Sequence, residues 1–151
     1  MTVKNSKGKA LKSTDYKIYY PKGMKNVGKY TVKVTLKGNY SGSKSMTYNI
    51  NPKGTSVSKV TAAKKGFKVT WKKQATQTTG YQVQYSTSSK LKKAKTVTIS
   101  KNKTTSKSVG KLSAKKKYYV RVRTYKTVKV NGKNVKLYSG WSKAKSVTTK
   151  K

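Results

Sequence analysis

The sequence predicts an all-β protein made of two β modules in tandem. Three observations carry this. Apolar residues alternate with polar ones at a period of two along nearly the whole chain, the pattern of half-buried strands, and no stretch reads convincingly as helix. Val, Ile, Thr and Tyr dominate these alternating stretches, which is a strand composition. Asn51-Pro52-Lys53-Gly54-Thr55 interrupts the pattern with Pro and Gly and reads as a linker, since no apolar alternation crosses it.

In the first third, Tyr16, Ile18 and Tyr20 alternate with polar residues, as do Tyr30, Val32, Val34 and Leu36, and then Met46, Tyr48 and Ile50. Turn residues separate them at Pro21-Lys-Gly23, Lys37-Gly-Asn39 and Tyr40-Ser-Gly42. Beyond the linker seven short strands are expected. Val57 and Val60 begin the first, Phe67, Val69 and Trp71 form the second, and Tyr81, Val83 and Tyr85 the third. Val97 and Ile99 form the fourth, and Val109 and Leu112 lie on or beside the fifth. Tyr118, Val120 and Val122 form the sixth, and Ser142 to Thr149 holds the last. Asn131-Gly132, between Val128-Lys-Val130 and Val135-Lys-Leu137, marks a hairpin, because both central positions of a type I′ turn need φ > 0. Short strands with regular turns point to a β-sandwich or a barrel.

The charge is one-sided. Among 151 residues, 39 are Lys or Arg and one, Asp15, is acidic, giving a formal charge of +38, and there is no Glu, His or Cys. High charge with 32% hydrophobic residues is often a disordered composition, but 12 Tyr, 2 Trp and 1 Phe in regular alternation and only two Pro argue for folded modules. General acid–base catalysis needs groups that titrate near neutrality, and the usual dyads and triads cannot be assembled here. Nitrogen, sulfur and paired oxygen ligands for a metal are missing as well. No spacing singles out a Ser–Lys pair. The expectation is therefore no enzyme activity, no cofactor and no small-molecule substrate. Asp15 is expected in a turn, its short carboxylate accepting nearby backbone N–H groups. There is no Arg-Gly-Asp. The Met1–Gly8 stretch has no apolar run of a signal peptide, and no segment nears the roughly 18 apolar residues that span a bilayer. The expected setting is the cytoplasm or, for a piece of a longer exported protein, the cell exterior.

From about residue 55 to the end, the chain resembles a fibronectin type III domain. The carriers are Gly66-Phe-Lys-Val-Thr-Trp71, Gly80-Tyr-Gln-Val-Gln-Tyr85, Leu112-Ser-Ala-Lys-Lys-Lys-Tyr118-Tyr-Val-Arg-Val122 and Gly140-Trp-Ser-Lys-Ala-Lys-Ser-Val-Thr148-Thr149. The third matches the tyrosine corner of Ig-like sandwiches, in which a Tyr hydroxyl bonds back to the upstream backbone. Residues 1–52 are similar to the later part of a bacterial Ig-like repeat, through Thr14-Asp-Tyr16, Asn26-Val-Gly28-Lys-Tyr30, Gly38-Asn-Tyr-Ser-Gly42 and Tyr48-Asn-Ile-Asn-Pro52. The resemblances imply tandem β-sandwich modules: a partial Ig-like module over 1–52, a linker at 53–54, and a seven-stranded fibronectin type III sandwich over 55–151. They also imply a setting in a Gram-positive, Clostridia-like surface protein, where modules of this kind stand in tandem. Such repeats begin with a strand ahead of the Thr2-Val3 position, so the first module is expected either to lean on the second or to pair edge to edge with another copy. Some related surface domains form an internal Lys–Asn bond beside a buried acid, and Asp15 is the sole acid present; the turn role is the favoured one.

The remaining candidate for function is the basic surface. With Tyr118, Val120 and Val122 facing inward, the period of two turns Tyr119, Arg121, Arg123 and Tyr125 outward. These are the chain's two arginines, and a guanidinium forks onto phosphate or carboxylate and stacks on rings as lysine cannot. The last strand is expected beside this one, bringing Lys143 and Lys145 to the same face, with Lys126, Lys129, Lys133 and Lys136 on the adjoining hairpin. Lys115, Lys116 and Lys117 form a second basic cluster at the tyrosine-corner turn. The expected function is a non-enzymatic, cationic cell-surface adhesion or spacer module that binds anionic polymers, wall polymers or glycans, by charge. The alternatives are sequence-independent nucleic-acid binding and a naturally supercharged delivery scaffold.

Overall fold

The structure, a computed structural model, describes residues 2–151. It divides into two compact units, Met1–Ile50 and Asn51–Lys151, and every regular element except one short 3-10 turn is a strand.

In the first unit β1 (Tyr16–Tyr19), β2 (Gly28–Leu36) and β3 (Ser43–Ile50) form one antiparallel sheet in the order β1-β2-β3. The register sets Ile18 against Val34, Val32 against Met46, and Tyr30 against Tyr48, so the alternating apolar residues of all three strands share a face. Val32 and Val34 at its centre are buried, whereas Met46 on β3 is 44% exposed. A short N-terminal hairpin precedes the sheet, with a Lys4–Ala10 bridge and its turn held by Asn5, whose Oδ1 accepts the amides of Lys7 and Lys9. Asp15 ends the Ser13–Asp15 3-10 turn, accepting the Lys12 amide at 3.2 Å and the Thr14 hydroxyl at 3.3 Å, the turn role expected of it. The unit is a single sheet layer, and β1 and β3 are its edges.

The second unit is a sandwich. One sheet is β4 (Val57–Ala63), β5 (Gly66–Trp71) and β8 (Ser106–Val109), in the order β4-β5-β8. The other runs β10-β9-β6-β7, from β6 (Gly80–Ser86), β7 (Lys95–Ile99), β9 (Lys117–Val130) and β10 (Lys133–Tyr138), with β11 (Lys145–Thr148) also on β9. Phe67, Val69 and Trp71 on one side meet Tyr81, Val83, Tyr85, Val120 and Val122 on the other, all buried. Burying each such side chain contributes about 1.5–3 kcal/mol, and packed ring pairs such as Phe67–Tyr85, edge to face at 5.6 Å, add more. Gly80 is required where β6 crosses β7 and β9: a Cβ there would lie 2.0 Å from the Ile99 carbonyl oxygen.

Two features depart from the expected strand pattern. The sixth expected strand and the first arm of the Asn131-Gly132 hairpin are one continuous strand, the 14-residue β9. The hairpin itself forms as expected, with Val130 paired to Lys133 and positive φ at Asn131 and Gly132. The last strand is broken. β10 and β11 both run along the flank of β9 that β6 leaves open, so they fill one strand position in two segments. Across the break, Ser139 and Ser142 act as clips. Their amides donate to the Thr124 and Val122 carbonyls, and their hydroxyl oxygens accept the Thr124 and Val122 amides, each at 3.0 Å. The serine side chains thus satisfy two β9 donors that a regular partner strand would satisfy with carbonyls.

The tyrosine corner is present, with the Tyr118 hydroxyl accepting the Ser113 amide at 3.4 Å. Residues 53 and 54, read from sequence as a linker, are tied to the second unit: the Lys53 carbonyl accepts the Thr124 hydroxyl at 2.7 Å, and Pro52 beside it is buried.

Candidate polyanion-binding surface

The outward face of β9 carries two polar rows rather than a free stripe. The β6–β9 register places Gln84 opposite Arg121 and Gln82 opposite Arg123. Arg121 donates from Nε and Nη2 to Gln84 Oε1 at 2.8 and 2.6 Å, and Arg123 does the same to Gln82 Oε1 at 2.9 and 2.7 Å. Each glutamine passes the row on to β7, Gln84 Nε2 donating to Thr96 and Gln82 Nε2 to Thr98. From the other side, Trp141 lies 4.7 Å from the Arg121 guanidinium and 4.3 Å from that of Arg123, and Tyr138 lies 3.9 Å from Arg123. The break between β10 and β11 is what brings Trp141 over β9.

The electrostatics follow from this packing. Burial holds Arg123 below its ordinary guanidinium value; Tyr138 opposes that shift, and the like charge of Arg121 adds to it. Arginine remains charged regardless. The Nε–Nη2 edge of both forks is occupied by glutamine, and one face of each is covered by rings, so these arginines bind their own sheet.

The other expected site residues separate into groups. Tyr119 is half-buried, with the Lys117 ammonium 5.6 Å from its ring centre. Tyr125 is not exposed as expected: it is only 2% accessible. It pairs with Tyr138 across β9–β10, the ring centres 6.1 Å apart, and the Lys136 ammonium lies 5.2 Å from its ring centre. The open space at Gly80 admits its ring edge, where a Cβ would lie 3.1 Å away. Lys145 does not border the Arg121 face. Register pairs it with Val120, on the opposite side of the sheet, and its ammonium donates to the Ser58 carbonyl at 2.8 Å, joining β11 to β4. Lys126 lies opposite Leu137 and is half-buried, while Lys143 is exposed. Lys115, Lys116 and Lys117 are exposed on a turn fixed to the last strand, where the Lys115 amide donates to the Thr149 carbonyl and the Lys116 amide to the Thr149 hydroxyl oxygen. Sequence reasoning missed Gln82, Gln84, Tyr138 and Trp141. The Gln-x-Gln and Arg-x-Arg spacings were visible, but not the register that sets them opposite each other.

The charged groups that remain available to a ligand are the lysines. Every lysine but Lys126 is exposed. No group of three or more metal-ligating side chains occurs among the described residues, and no helix among them is long and apolar enough to cross a membrane.

The family model of the fibronectin type III domain matches residues 50–139. The chain belongs to the fibronectin type III family. It is similar in fold to the crystal structure of the FN1-FN3 domains of chicken CNTN1, at 20% identity and a TM-score of 0.56, over 83% of this chain and 44% of that one. The chain thus spans less than half of that fragment. A titin fragment aligns at 17% identity with a TM-score of 0.47, over 95% of this chain and 52% of the other. No curated protein matches.

Proposed function

We propose that this chain is a non-enzymatic, cationic adhesion and spacer module of a larger Gram-positive surface protein, and that it holds anionic polymers of the wall or of glycans by charge. The observation that carries this reading is the one-sided surface: 39 basic residues against one acid, with every lysine but Lys126 exposed. An ordinary soluble surface mixes both signs, and lysines placed only for solubility do not account for the missing acids. A surface of one sign raises the local concentration of oppositely charged polymers. The first unit is read as the later part of an Ig-like repeat, with its open β1 and β3 edges the place for pairing between copies; sedimentation velocity at high salt tests that, a monomer contradicting it.

A second reading, sequence-independent nucleic-acid binding, draws on the same charge. Strands without a recognition helix or finger favour backbone contact over base readout. A naturally supercharged delivery scaffold is an extension of it.

The test compares retention on a poly(glycerol phosphate) resin, a heparin resin and an uncharged dextran resin at 150 mM NaCl, before and after lysine acetylation, which removes the charge. The reading predicts retention on both anionic resins, none on dextran, and loss on acetylation. Retention that survives acetylation contradicts it.

A further inference from the structure

At one end of the sandwich, the loop from β6 to β7 and the turn before β9 enclose a cleft of about 410 Å³. Tyr85, Tyr118 and Leu112 line it together with Lys92, Lys93 and Lys95. The two tyrosines are 8% exposed and form its base, while the three lysines are exposed and form its rim. The loop that carries the lysines is held in place. The Ser86 hydroxyl, itself buried, donates to the Lys92 carbonyl at 2.7 Å and accepts the Ser88 amide at 3.1 Å, and the Leu91 amide donates to the Ser88 carbonyl. Leu91 and Lys93 both sit at positive φ (54° and 48°), a conformation costly for residues with a Cβ and sustained here by those bonds.

The Tyr85 hydroxyl is the decisive group. It belongs to a side chain more than nine-tenths buried, and among the described residues no group hydrogen-bonds it. Its oxygen keeps some access to solvent, and Tyr85 lines the cleft. The ring of Tyr118 lies 6.3 Å from that of Tyr85, and its hydroxyl oxygen accepts the Ser113 amide at 3.4 Å. Burial, reinforced by Tyr118, holds the Tyr85 phenol above its ordinary value, so it stays a neutral donor. The cleft therefore offers phenolic donors at its base and ammonium donors at its rim, with no acidic side chain.

The geometry points to this cleft as a binding site for one oxyanion-bearing sugar unit, a hexuronate or a hexose phosphate within an anionic polymer. Ammonium and phenolic donors with no acidic side chain among them favour an oxyanion, the Leu112 side chain offers apolar contact to a sugar ring, and the volume lies within the usual range of about 300–1,000 Å³ for small-ligand sites. This rests on the polymer-binding reading above and adds a shaped contact to it.

The test is a titration of amide chemical shifts in 150 mM NaCl with glucose 6-phosphate, glucuronate, glucose and inorganic phosphate. The expected result is saturable shifts confined to residues 85–95, Leu112 and Tyr118, with either charged sugar binding more tightly than glucose or phosphate. Which charged sugar binds tighter names the source. Tyr85→Phe, which keeps the ring packed on Phe67, is expected to weaken binding about 5–10-fold, and Lys93→Gln, at an exposed position, tests the rim should Tyr85→Phe fail to fold. Shifts spread over lysines throughout the chain, phosphate binding as tightly as the sugars, or unchanged affinity in a folded variant overturns the site. Resin retention is read in the same buffer. Retention without cleft shifts removes the cleft alone, and cleft shifts without retention remove the polymer reading.

Discussion

The Ser139 hydroxyl oxygen accepts the amide of Thr124 at 3.0 Å, taking the place of a strand carbonyl where the last strand is broken. Thr124 is fully buried, so its amide has no access to water. Ser139→Ala leaves that donor orphaned, which costs about 1–3 kcal/mol. Urea unfolding of the variant is expected to show a lower midpoint at an unchanged slope. An unchanged midpoint would mean that the clip carries no stability.

Arg121 and Arg123 are predicted to matter for stability rather than for polymer binding. Replacing both with Lys keeps the charge but removes the forked bonds to Gln84 and Gln82 and the flat contact with Trp141 and Tyr138. A loss of about 2–4 kcal/mol is expected from the missing charge-assisted bonds and ring contacts. The salt needed for elution from heparin should stay within the spread of the parent protein. A stable variant with weakened heparin binding would restore the stripe as a contact face.

Gly80→Ala places a Cβ 2.0 Å from the Ile99 oxygen and 3.1 Å from the Tyr125 ring. The backbone must move, so the β6–β7 pairing should weaken by about 1–3 kcal/mol or more. Amide exchange of Val83 and Ile99 reports it directly, and unchanged protection would contradict the packing.

Burial raises the phenols of Tyr85 and Tyr125 above the ordinary value of 10.0, with Tyr118 and Tyr138 respectively adding to the shift. Above pH 10 the unfolded chain releases protons that the folded chain retains, so stability present in full below that pH falls as pH rises through the folded values. A Tyr85→Phe/Tyr125→Phe variant lacks these two phenols and keeps every other titratable group of the parent. It should therefore lose less stability than the parent between about pH 9.5 and 11.5; equal losses would contradict the burial argument.

Much of the fold was legible because a period of two survives in single residues. Phe67, Val69 and Trp71, and Tyr81, Val83 and Tyr85, lie inward as read, and Asn131-Gly132 turns where the chemistry demanded. The length of β9 was not legible, since nothing between Val122 and Val128 marks where a strand outgrows its sandwich. The exposure of Tyr125 and the face of Lys145 were misread for one reason: parity gives a side, but register and neighbours decide what covers it. The cleft at Tyr85 joins residues from 85 to 118 through loops without periodicity, so only the folded chain brings them together.

Polyanion binding through the lysine charge is read from the affinity for a poly(glycerol phosphate) chain and for two duplex DNAs of unrelated sequence, between 50 and 500 mM NaCl. Plots of log K against log[NaCl] are expected to be linear, with the two DNAs superimposed and a slope near −7 if about eight phosphates are neutralised. Affinity that does not fall with salt, or that differs between the two sequences, would contradict it.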